Sequence, residues 1–430
     1  MRVTQPRPEP DPPAVEVDSA VDWPGLARAY GSPLYVYRLA ELRANHRLLT
    51  AALPTGSLLL YSVKANPHPR LMRELRRLGC GAEVSSLGEL AVARSAEVPA
   101  DDIVYTGPGK TPTEVAAAVR AGARLFSVDS PAQLAIVRAA AARSGVQLRA
   151  ILRVNPAWSV GAQGLRMTGV PSQFGVDAEY LLAHPERLGS TAECEVVGLH
   201  IYLGSNVPSA TALAEQFTRS VRLAAELCAA LGIVPRFLDL GGGFGRPFAR
   251  PDVPPDLDGL DAVIESALTE TFPGWRGGEP RIAFESGRYL VASAGTLLAT
   301  VADVKRSRDR EFVVLDSGVN HLGGMSALGR LPPMRATFLP VGRPPDRPDP
   351  AARIDVVGPL CTPLDSLGRG GDGRPAIGDR VLVPNVGAYG LTASLLAFLS
   401  HACPAELVLD GAEVIDASRL VLERRPVAPG

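Results

Sequence analysis

Lys64 is the residue of this sequence that is best suited to covalent chemistry, because it follows a short apolar run. The run Ser57–Leu60 continues into Tyr61, and this pattern predicts a buried strand that carries the lysine at its C-terminal end, before a helix begins near Pro69. An ammonium at the mouth of an α/β core loses hydration. We therefore expect its pKa to fall, so that the neutral amine can form a Schiff base with a carbonyl cofactor. The alternative is a lysine that merely extends from a strand end into solvent.

A run of three glycines offers a second kind of chemistry. Gly241, Gly242 and Gly243 follow a strand-like segment, and without Cβ atoms their backbone N–H groups can converge on an anion. Ser205 would add a hydroxyl donor and Arg288 a cation. A phosphate cradle and a purely structural turn both remain open for the glycines.

Glu285 completes a recognisable set. It ends the predicted strand 281–285, directly after the apolar residues 282–284, where an unpaired carboxylate is costly to bury, so it needs a cationic partner. A salt bridge to a neighbouring arginine is one possibility, and a pyridinium nitrogen is another. A Schiff-base lysine, a phosphate cradle and an acid for a ring nitrogen together describe pyridoxal 5′-phosphate, whose protonated ring accepts electrons from a carbanion at Cα.

Other polar residues also stand at predicted strand ends. They are Glu83, Ser85, Ser86, Arg153, Asn155, His200, Tyr202 and Asp239. Later in the chain, Cys361 lies in an apolar segment beside glycine and proline, and Tyr389 follows Gly387. A lone cysteine of this kind is either a small buried hydrophobe or a loop thiol that meets substrate.

The elements that must position these residues form a regular alternation of apolar strands and amphipathic helices. Eight strands are predicted, each after the first reached through a helix, and this fits a closed (β/α)₈ barrel with its chemistry at the C-terminal strand ends. The predicted strands are 57–64, 81–86, 102–106, 124–129, 147–155, 194–203, 236–242 and 281–285.

The two ends of the chain differ from this pattern. Residues 1–20 are rich in proline and are predicted to be a flexible arm. After Leu290, short strand-like segments joined by glycine and proline predict a β domain, with strands at 296–304, 312–316, 353–357 and 380–383. We expect the barrel to span 40–292 and the β domain to combine 21–39 with 293–430, with the proline-rich stretch 340–350 as an exposed loop.

The totals limit the class of protein. The 430 residues carry a formal net charge of −1 and show no basic stripe, which argues against nucleic acid as a partner. No signal peptide or twenty-residue apolar span is present, so we expect a cytoplasmic protein without membrane contact. The five cysteines show no CxxC spacing, which argues against a disulfide framework and against a bound metal.

Taken in order, the motifs resemble those of the fold-type III pyridoxal-phosphate decarboxylases, the group of diaminopimelate and ornithine decarboxylases. The similarity runs from about Pro33 to Leu409. It is carried by Tyr61–Asn66, Leu152–Asn155, Gly198–Ser205, Asp239–Phe244, Glu285–Arg288, Cys361 with Asp365, and Gly387–Tyr389.

This resemblance implies a barrel plus a β domain of the alanine racemase and decarboxylase type, acting as a homodimer with shared active sites. It implies that Lys64 holds the cofactor, that Glu285 pairs with the pyridine nitrogen, and that Cys361 of the partner subunit helps to protonate the carbanion. The phosphate would be bound by Ser205, Gly241 to Gly243, Arg288 and Tyr389. The substrate would meet Arg288, Thr362, Asp365 and Tyr389.

Three departures from the family pattern bear on the substrate. Tyr202 stands where most members have a histidine that stacks on the cofactor ring, so stacking is kept and a proton carrier is lost. Thr362 replaces the acid that recognises the distal amine of a diamino acid. The segment after Asp316 lacks the Arg and Tyr pattern that diaminopimelate decarboxylases use for the distal carboxylate.

With these departures, the sequence most resembles a secondary-metabolism branch of the family that acts on carrier-bound or siderophore-precursor amino acids. We therefore expect decarboxylation of an amino acid, possibly presented by a carrier protein, through a Lys64 aldimine and a quinonoid stabilised by Glu285. One alternative is a diaminopimelate decarboxylase that makes L-lysine. A second is an amino-acid racemase, although racemases favour an arginine at the ring nitrogen, and a non-catalytic binding protein is a third.

Overall fold

The computed structural model describes residues 20–158, 165–166, 169, 171–207, 209–251, 255–323, 335–341, 353–369 and 375–427. The predicted N-terminal arm and nearly all of the predicted loop at 340–350 lie outside these residues. Within them, no helix is long and apolar enough to cross a membrane.

The described residues form twenty strands. In chain order they are β1 Leu34–Arg38, β2 Leu58–Ser62, β3 Gly81–Val84, β4 Ile103–Tyr105, β5 Leu125–Val128, β6 Leu148–Asn155, β7 Leu165–Arg166, β8 Val176–Asp177, β9 Cys194–His200, β10 Gly204–Ser205, β11 Phe237–Asp239, β12 Arg281–Ser286, β13 Gly295–Ser307, β14 Arg310–Leu315, β15 Leu339–Pro340, β16 Arg353–Val357, β17 Ser366–Arg369, β18 Arg380–Val383, β19 Ala405–Asp410 and β20 Glu413–Arg419.

Ten α-helices accompany them. They are α1 Trp23–Tyr30, α2 Leu39–Ala51, α3 Pro69–Arg77, α4 Leu87–Ser95, α5 Pro112–Arg120, α6 Pro131–Ser144, α7 Ala178–Ala183, α8 Ala210–Leu231, α9 Leu260–Thr271 and α10 Arg288–Val291. Local signals set their ends. In α6, the Ser130 side chain accepts from the Gln133 N–H, Pro131 occupies the first turn, and Gly145 ends the helix at a φ of 65°.

The first sheet is a closed barrel of eight parallel strands, as predicted from the strand and helix alternation. Its order is β2-β3-β4-β5-β6-β9-β11-β12, and β12 pairs in parallel with β2 to close the ring. A helix lies in every crossover between consecutive barrel strands. All parallel C-terminal ends therefore open on one face, where side chains from distant parts of the sequence meet.

The second sheet is mostly antiparallel and has the order β17-β16-β14-β13-β1-β19-β20, with β18 added beside β13. The N-terminal strand β1 lies inside this sheet, antiparallel to β13 and parallel to β19. The four β-domain strands predicted after Leu290 are all present. The sequence analysis did not predict β17, β19 or β20.

Candidate active site

The polar residues at the barrel mouth continue the inward-facing side of the strands. A cluster of buried apolar side chains inside the barrel includes Leu60, Val104, Leu125, Ile151, Phe237 and Ala283. Because strand side chains alternate between faces, the residue two positions further on faces the same interior. Those residues are Ser62, Thr106, Ser127, Arg153, Asp239 and Glu285. Strand periodicity alone thus places a polar ring directly above an apolar core.

One strand breaks this rule and thereby brings a histidine into the ring. The pairing of β6 with β9 shifts register at Gly198, whose φ of 155° lies in the region that favours glycine. Leu199 consequently packs in the outer core, while His200 faces the site with 1% of its surface exposed. A Cβ at Gly198 would stand 1.8 Å from the Phe237 carbonyl oxygen, so no other residue fits there.

The ring opens into a cavity of about 640 Å³. Most of the residues predicted to serve the cofactor line this cavity together, although they come from both domains. They are Lys64, Tyr202, Ser205, Gly243, Glu285, Arg288 and Tyr389. The sequence prediction that these side chains share one site therefore agrees with the geometry.

Lys64 lies in the 3₁₀ turn Val63–Ala65, just after β2 ends at Ser62. Its Nζ is 2.7 Å from Oε2 of Glu83, and its side chain is 42% exposed toward the cavity. Burial lowers the pKa of Lys64, but the negative charges of Glu83 and Glu285 outweigh it and raise the pKa above its ordinary value. The predicted fall in this pKa is thus wrong for the chain without cofactor, because two carboxylates face the amine.

Glu83 is held as a carboxylate by that contact. Burial raises its pKa, but the Lys64 charge and hydrogen bonds from Lys64 and Thr106 bring it down to about 2. The Thr106 hydroxyl donates to the other carboxylate oxygen, and Ser85 Oγ lies 3.3 Å from the same atom. The strand-end position of Glu83 was predicted, whereas its pairing with Lys64 was not.

Glu285 is buried, with 3% of its surface exposed, and its nearest neighbours are another acid and a histidine. His200 Nε2 lies 3.4 Å from Glu285 Oε1. Burial, and then the charges of Asp239 and Glu83, raise the pKa of Glu285 well above its ordinary value. The salt bridge to an arginine, which the sequence left open, is not found among the described residues. Glu285 faces the cavity without a cation of its own.

The three glycines do not all have the same structural role. Gly243 lines the cavity. The Gly241 N–H donates to Asp239 Oδ1 over 2.9 Å, so the prediction that all three N–H groups converge on an anion is wrong for Gly241. A Cβ on Gly242 would lie 2.1 Å from the Glu285 carbonyl oxygen. This glycine is therefore required for the close approach of the two backbones, and its predicted phosphate contact remains a prediction.

Tyr202 takes part in an aromatic and cationic cluster at the cavity wall. The Arg153 guanidinium carbon lies 5.7 Å from the centroid of the Tyr202 ring and 4.9 Å from that of Phe174. Burial raises the pKa of the Tyr202 hydroxyl above its ordinary value. Tyr202 therefore stays neutral at the cavity wall, and its predicted stacking on the cofactor ring remains a prediction.

Arg288 and Tyr389 join the barrel to the β domain at the cavity. The guanidinium carbon of Arg288 lies 4.7 Å from the centroid of the Tyr389 ring, and the Tyr389 N–H donates to the Ala65 carbonyl over 2.7 Å. No carboxylate among the described residues forms an ion pair with Arg288. Its positive charge remains available to an anion, as predicted for a phosphate.

The predicted residues of the β-domain loop are not found in this cavity. Cys361 is exposed, and neither it nor Thr362 is among the described residues that line the cavity. Asp365 is 3% exposed, and its two oxygens accept from the N–H groups of Val319 and Leu360, each over 2.8 Å. Asp365 therefore holds the loop together, and its predicted substrate contact remains a prediction.

Several residues of the site escaped the sequence analysis. Lys110 lines the cavity, with its Nζ 3.6 Å from Asp129 Oδ2, and burial lowers its pKa to about 8. Ser127 Oγ lies 2.8 Å from His200 Nδ1. Strand periodicity could have found Ser127 and Thr106. Lys110 lies in a loop, where periodicity gives no signal.

Two other strand-end candidates have structural tasks. Ser86 caps helix α4 by accepting from the Glu89 N–H over 3.2 Å. Asn155 donates from Nδ2 to Asp177 Oδ1 over 2.7 Å, and it is not among the described residues that line the cavity. Position at a strand end was thus a good guide to the site but not a sufficient one.

The residues present fit pyridoxal phosphate. Oε1 of Glu285 is fully buried and has no hydrogen-bond partner among the described residues, which is the state expected of an acid whose partner arrives with a ligand. The amine of Lys64 shares the cavity with it, and Arg288 and Gly243 offer an unpaired cation and a backbone without a Cβ. Lys64, Glu285 and Arg288 would hold the aldehyde, ring-nitrogen and phosphate ends of the cofactor.

Comparison with known proteins gives the same class. Residues 39–292 match the family described as the pyridoxal binding domain of pyridoxal-dependent decarboxylases. The L-glutamyl-[BtrI acyl-carrier protein] decarboxylase of Niallia circulans is 33% identical over 393 residues, which cover 89% of this chain and 90% of that protein. The diaminopimelate decarboxylase of Pseudomonas fluorescens is 31% identical, over 92% of this chain and 91% of the relative.

A solved structure supports the fold over both domains. The crystal structure of diaminopimelate decarboxylase from Helicobacter pylori complexed with L-lysine superposes with a TM-score of 0.78 at 26% identity, over 90% of this chain and 94% of that chain. The chain belongs to the pyridoxal-dependent decarboxylases of the fold-type III group. It is accordingly a pyridoxal-phosphate enzyme of the carbon-carbon lyase class.

Proposed function

We propose that this enzyme removes the α-carboxylate of an amino acid, or of an amino-acid-derived intermediate, in the biosynthesis of a secondary metabolite. The observation that carries the chemistry is that Lys64 and Glu285 line one cavity, and that Oε1 of Glu285 has no hydrogen-bond partner among the described residues. When bound there, pyridoxal phosphate supplies an electron sink for the pair left at Cα after CO₂ departs.

The residues that line the cavity would contact different parts of the cofactor. Glu285 would ionise beside the cationic ring nitrogen and hold negative charge there, in a buried setting where electrostatic stabilisation is strong. Tyr202 offers a neutral ring face for stacking, while Arg288, Ser205 and Gly243 supply donors for the phosphate.

Proton handling rests first on Lys64. Lys64 would hold the aldehyde of the cofactor, and whenever its amine is free it would take up the proton given up by the substrate ammonium, with Glu83, 2.7 Å from Nζ, stabilising the resulting lysine ammonium. Lys64 Nζ thus holds a proton inside the cavity at the stage when Cα requires one. In addition, we propose that the chain forms a homodimer and that Cys361 of the partner subunit completes this step. The exposure of Cys361 supports this arrangement, since the thiol is accessible to a second subunit.

The substrate class is inferred from Thr362 and from the relatives. A neutral hydroxyl at that position cannot balance a distal ammonium, which disfavours ornithine, lysine and diaminopimelate. The relative from Niallia circulans is named for a glutamyl group on an acyl-carrier protein. We therefore propose a carrier-bound or otherwise derivatised amino acid as the substrate.

Diaminopimelate decarboxylation, which would make L-lysine, is the second candidate. It is favoured by the several relatives of that name, including those of Pseudomonas fluorescens and Aquifex aeolicus at 31% and 30% identity. An amino-acid racemase is disfavoured by Glu285, because a carboxylate keeps the ring nitrogen protonated and so favours carbanion delocalisation.

The test is CO₂ release from meso-diaminopimelate, lysine, ornithine, arginine, glutamate and carrier-bound glutamate, with Lys64→Ala as the blank. We expect release from carrier-bound glutamate or no release from any free amino acid, with cofactor bound in both cases. Rapid release from free diaminopimelate would instead establish the second candidate. Glu285→Gln should retain cofactor and lose at least ~100-fold in turnover; a Gln variant with full activity would refute the role of Glu285.

A further inference from the structure

Three buried polar atoms that have no hydrogen-bond partner among the described residues belong to neighbouring residues at the cavity, which two of these residues line. They are Nε2 of His200, Oδ2 of Asp239 and Oε1 of Glu285. The residues stand on the adjacent strands β9, β11 and β12, where His200 and Asp239 are direct partners in the ladder. One nitrogen of the histidine and one oxygen of each acid lie within 4.8 Å of one another.

Asp239 and His200 each have a second polar atom that already has a partner. Asp239 Oδ1 accepts from the Gly241 N–H over 2.9 Å, and His200 Nδ1 lies 2.8 Å from Ser127 Oγ. Burial and the positive charges of Arg153, Lys64 and Lys110 lower the pKa of His200 well below its ordinary value, so the imidazole is neutral. None of these three residues therefore carries a positive charge that could balance the two carboxylates.

Two adjacent carboxylates that are 0% and 3% exposed do not both remain ionised, because their repulsion is not screened by water. The pair must share a proton, as other buried acid pairs do. Consistent with this, burial raises the pKa of Asp239 to about 7, and the hydrogen bonds from the Gly241 N–H and with Glu285 only partly offset that rise.

Position decides which acid holds the proton when the cofactor is bound. Glu285 lines the cavity, so it gains the cationic ring nitrogen as a partner. Asp239 is not among the described residues that line the cavity and has no access to that cation. The charge of the pair therefore resides on Glu285 and the proton on Asp239.

We propose that Asp239 is a positioning residue that keeps a proton on Oδ2 and donates it to the Glu285 carboxylate, so that the pair carries one negative charge at the ring nitrogen. This inference rests on the proposed role of Glu285. The charged and titratable groups that face the pair are Glu83, Lys64, Arg153 and His200, and each belongs to a different barrel strand or to the turn after one.

The decisive variant is Asp239→Asn. An asparagine keeps an acceptor for the Gly241 N–H and a donor for Glu285, but it cannot ionise. We expect the holoenzyme to retain its cofactor absorbance spectrum and turnover within ~3-fold, because the substitution copies the protonated state. A loss of more than ~30-fold in turnover, with cofactor still bound, would show that Asp239 acts as a charge and would overturn the proposal.

A second readout does not depend on activity. A folded-state pKa above its unfolded value contributes stability at low pH that is lost as pH rises. For Asp239 the window runs from its ordinary value of 3.8 to about 7. Urea unfolding of the full-length wild-type chain should therefore lose stability across this window, and the Asn variant should lose less. Identical pH profiles would contradict a proton on Asp239.

Asp129→Asn is the matched control. Asp129 is also a buried aspartate that accepts a backbone N–H, from Gly175 over 2.8 Å, but it faces the cations Lys110 and Arg153. The same substitution there should destabilise the chain, because it leaves buried cations unbalanced. If Asp239→Asn behaves like this control, the proposal fails.

Infrared spectroscopy of wild-type holoenzyme covers the case in which Asp239→Asn does not fold. A protonated-carboxyl C=O band should be present at neutral pH, and its absence would contradict the proposal. Glu285→Gln separates this inference from the proposed function. An active Gln variant refutes the role of Glu285, whereas an inactive Gln variant together with an inactive Asn variant refutes only the role of Asp239.

Discussion

The contact between Lys64 and Glu83 makes a prediction that can be worked through from the structure. Glu83→Gln removes the negative charge and keeps the side-chain shape and an oxygen that accepts from Thr106. The pKa of Lys64 is lowered by burial and raised by the charges of Glu83 and Glu285. Without the Glu83 charge the lowering effect of burial gains weight, so the pKa of Lys64 falls.

The size of this fall in the pKa of Lys64 follows from the pKa of its ion-pair partner, Glu83. The pKa of Glu83 is about 2, against an ordinary value of 4.5. A difference of ~2.5 pH units corresponds to ~3 kcal/mol for the interactions that stabilise the carboxylate. Lys64 is 42% exposed, so solvent screens its charge, and Thr106 supplies part of the total. We therefore assign ~1.5 kcal/mol to the ion pair, and its loss in Glu83→Gln should lower the pKa of Lys64 by about one pH unit.

Imine formation requires the neutral amine, so its rate reports this pKa. We expect apoenzyme carrying Glu83→Gln to combine with pyridoxal phosphate ~10-fold faster than wild type between pH 7 and 9, with absorbance of the imine as the signal. Glu114→Gln is the control, because Glu114 also lines the cavity but bonds to the Tyr105 hydroxyl. An unchanged or slower rate in a folded Glu83→Gln protein would refute the reasoning.

Substitutions at three further positions, with Gly109 as a control, test other parts of the structure. Gly242→Ala should lower the free energy of unfolding in urea by more than ~2 kcal/mol, because the added Cβ would lie 2.1 Å from a backbone oxygen. Gly109→Ala is the control, since a Cβ at Gly109 meets open space, and it should change the free energy of unfolding by less than ~0.5 kcal/mol. Tyr202→Phe should keep cofactor affinity within ~3-fold and Tyr202→Ala should weaken it ~10-fold in fluorescence titration, since the ring face and not the hydroxyl is used; equal affinities would contradict stacking. Asp365→Asn should lower the free energy of unfolding in urea by ~2 kcal/mol, because one amide nitrogen would then face a backbone N–H. An Asn variant as stable as wild type would show that the loop does not depend on the carboxylate.

The barrel and much of the site could be predicted because both follow from strand periodicity. The alternation of strands and helices predicts closure, and closure brings the strand ends to one face. Asp239 and Glu285 each stand two residues beyond an inward-facing apolar residue, so their direction is fixed by the same alternation. Local sequence is sufficient for these statements, since no long-range contact needs to be known.

Other features depend on contacts between distant segments. The register shift at Gly198 turns His200 inward, and it becomes visible only when β6 and β9 are paired. The raised pKa of Lys64 depends on two carboxylates from other strands, and no local pattern tells whether burial or those charges win. The family resemblance predicts that Asp365 contacts the substrate, but it gives no sign that both carboxylate oxygens accept from backbone N–H groups, as they do here.

The charges left over after internal pairing describe the ligand of the cavity. Lys64 pairs with Glu83, and Lys110 and Arg153 face Asp129 at 3.6 and 4.0 Å. Among the described residues this leaves Glu285 without a cation and Arg288 without a carboxylate. Each unbalanced group is costly in a partly buried setting, so a ligand that balances both must carry a cation at one end and an anion at the other. A protonated pyridine that bears a phosphate meets this requirement, and the aldehyde between them can reach the one amine that faces the cavity from β2.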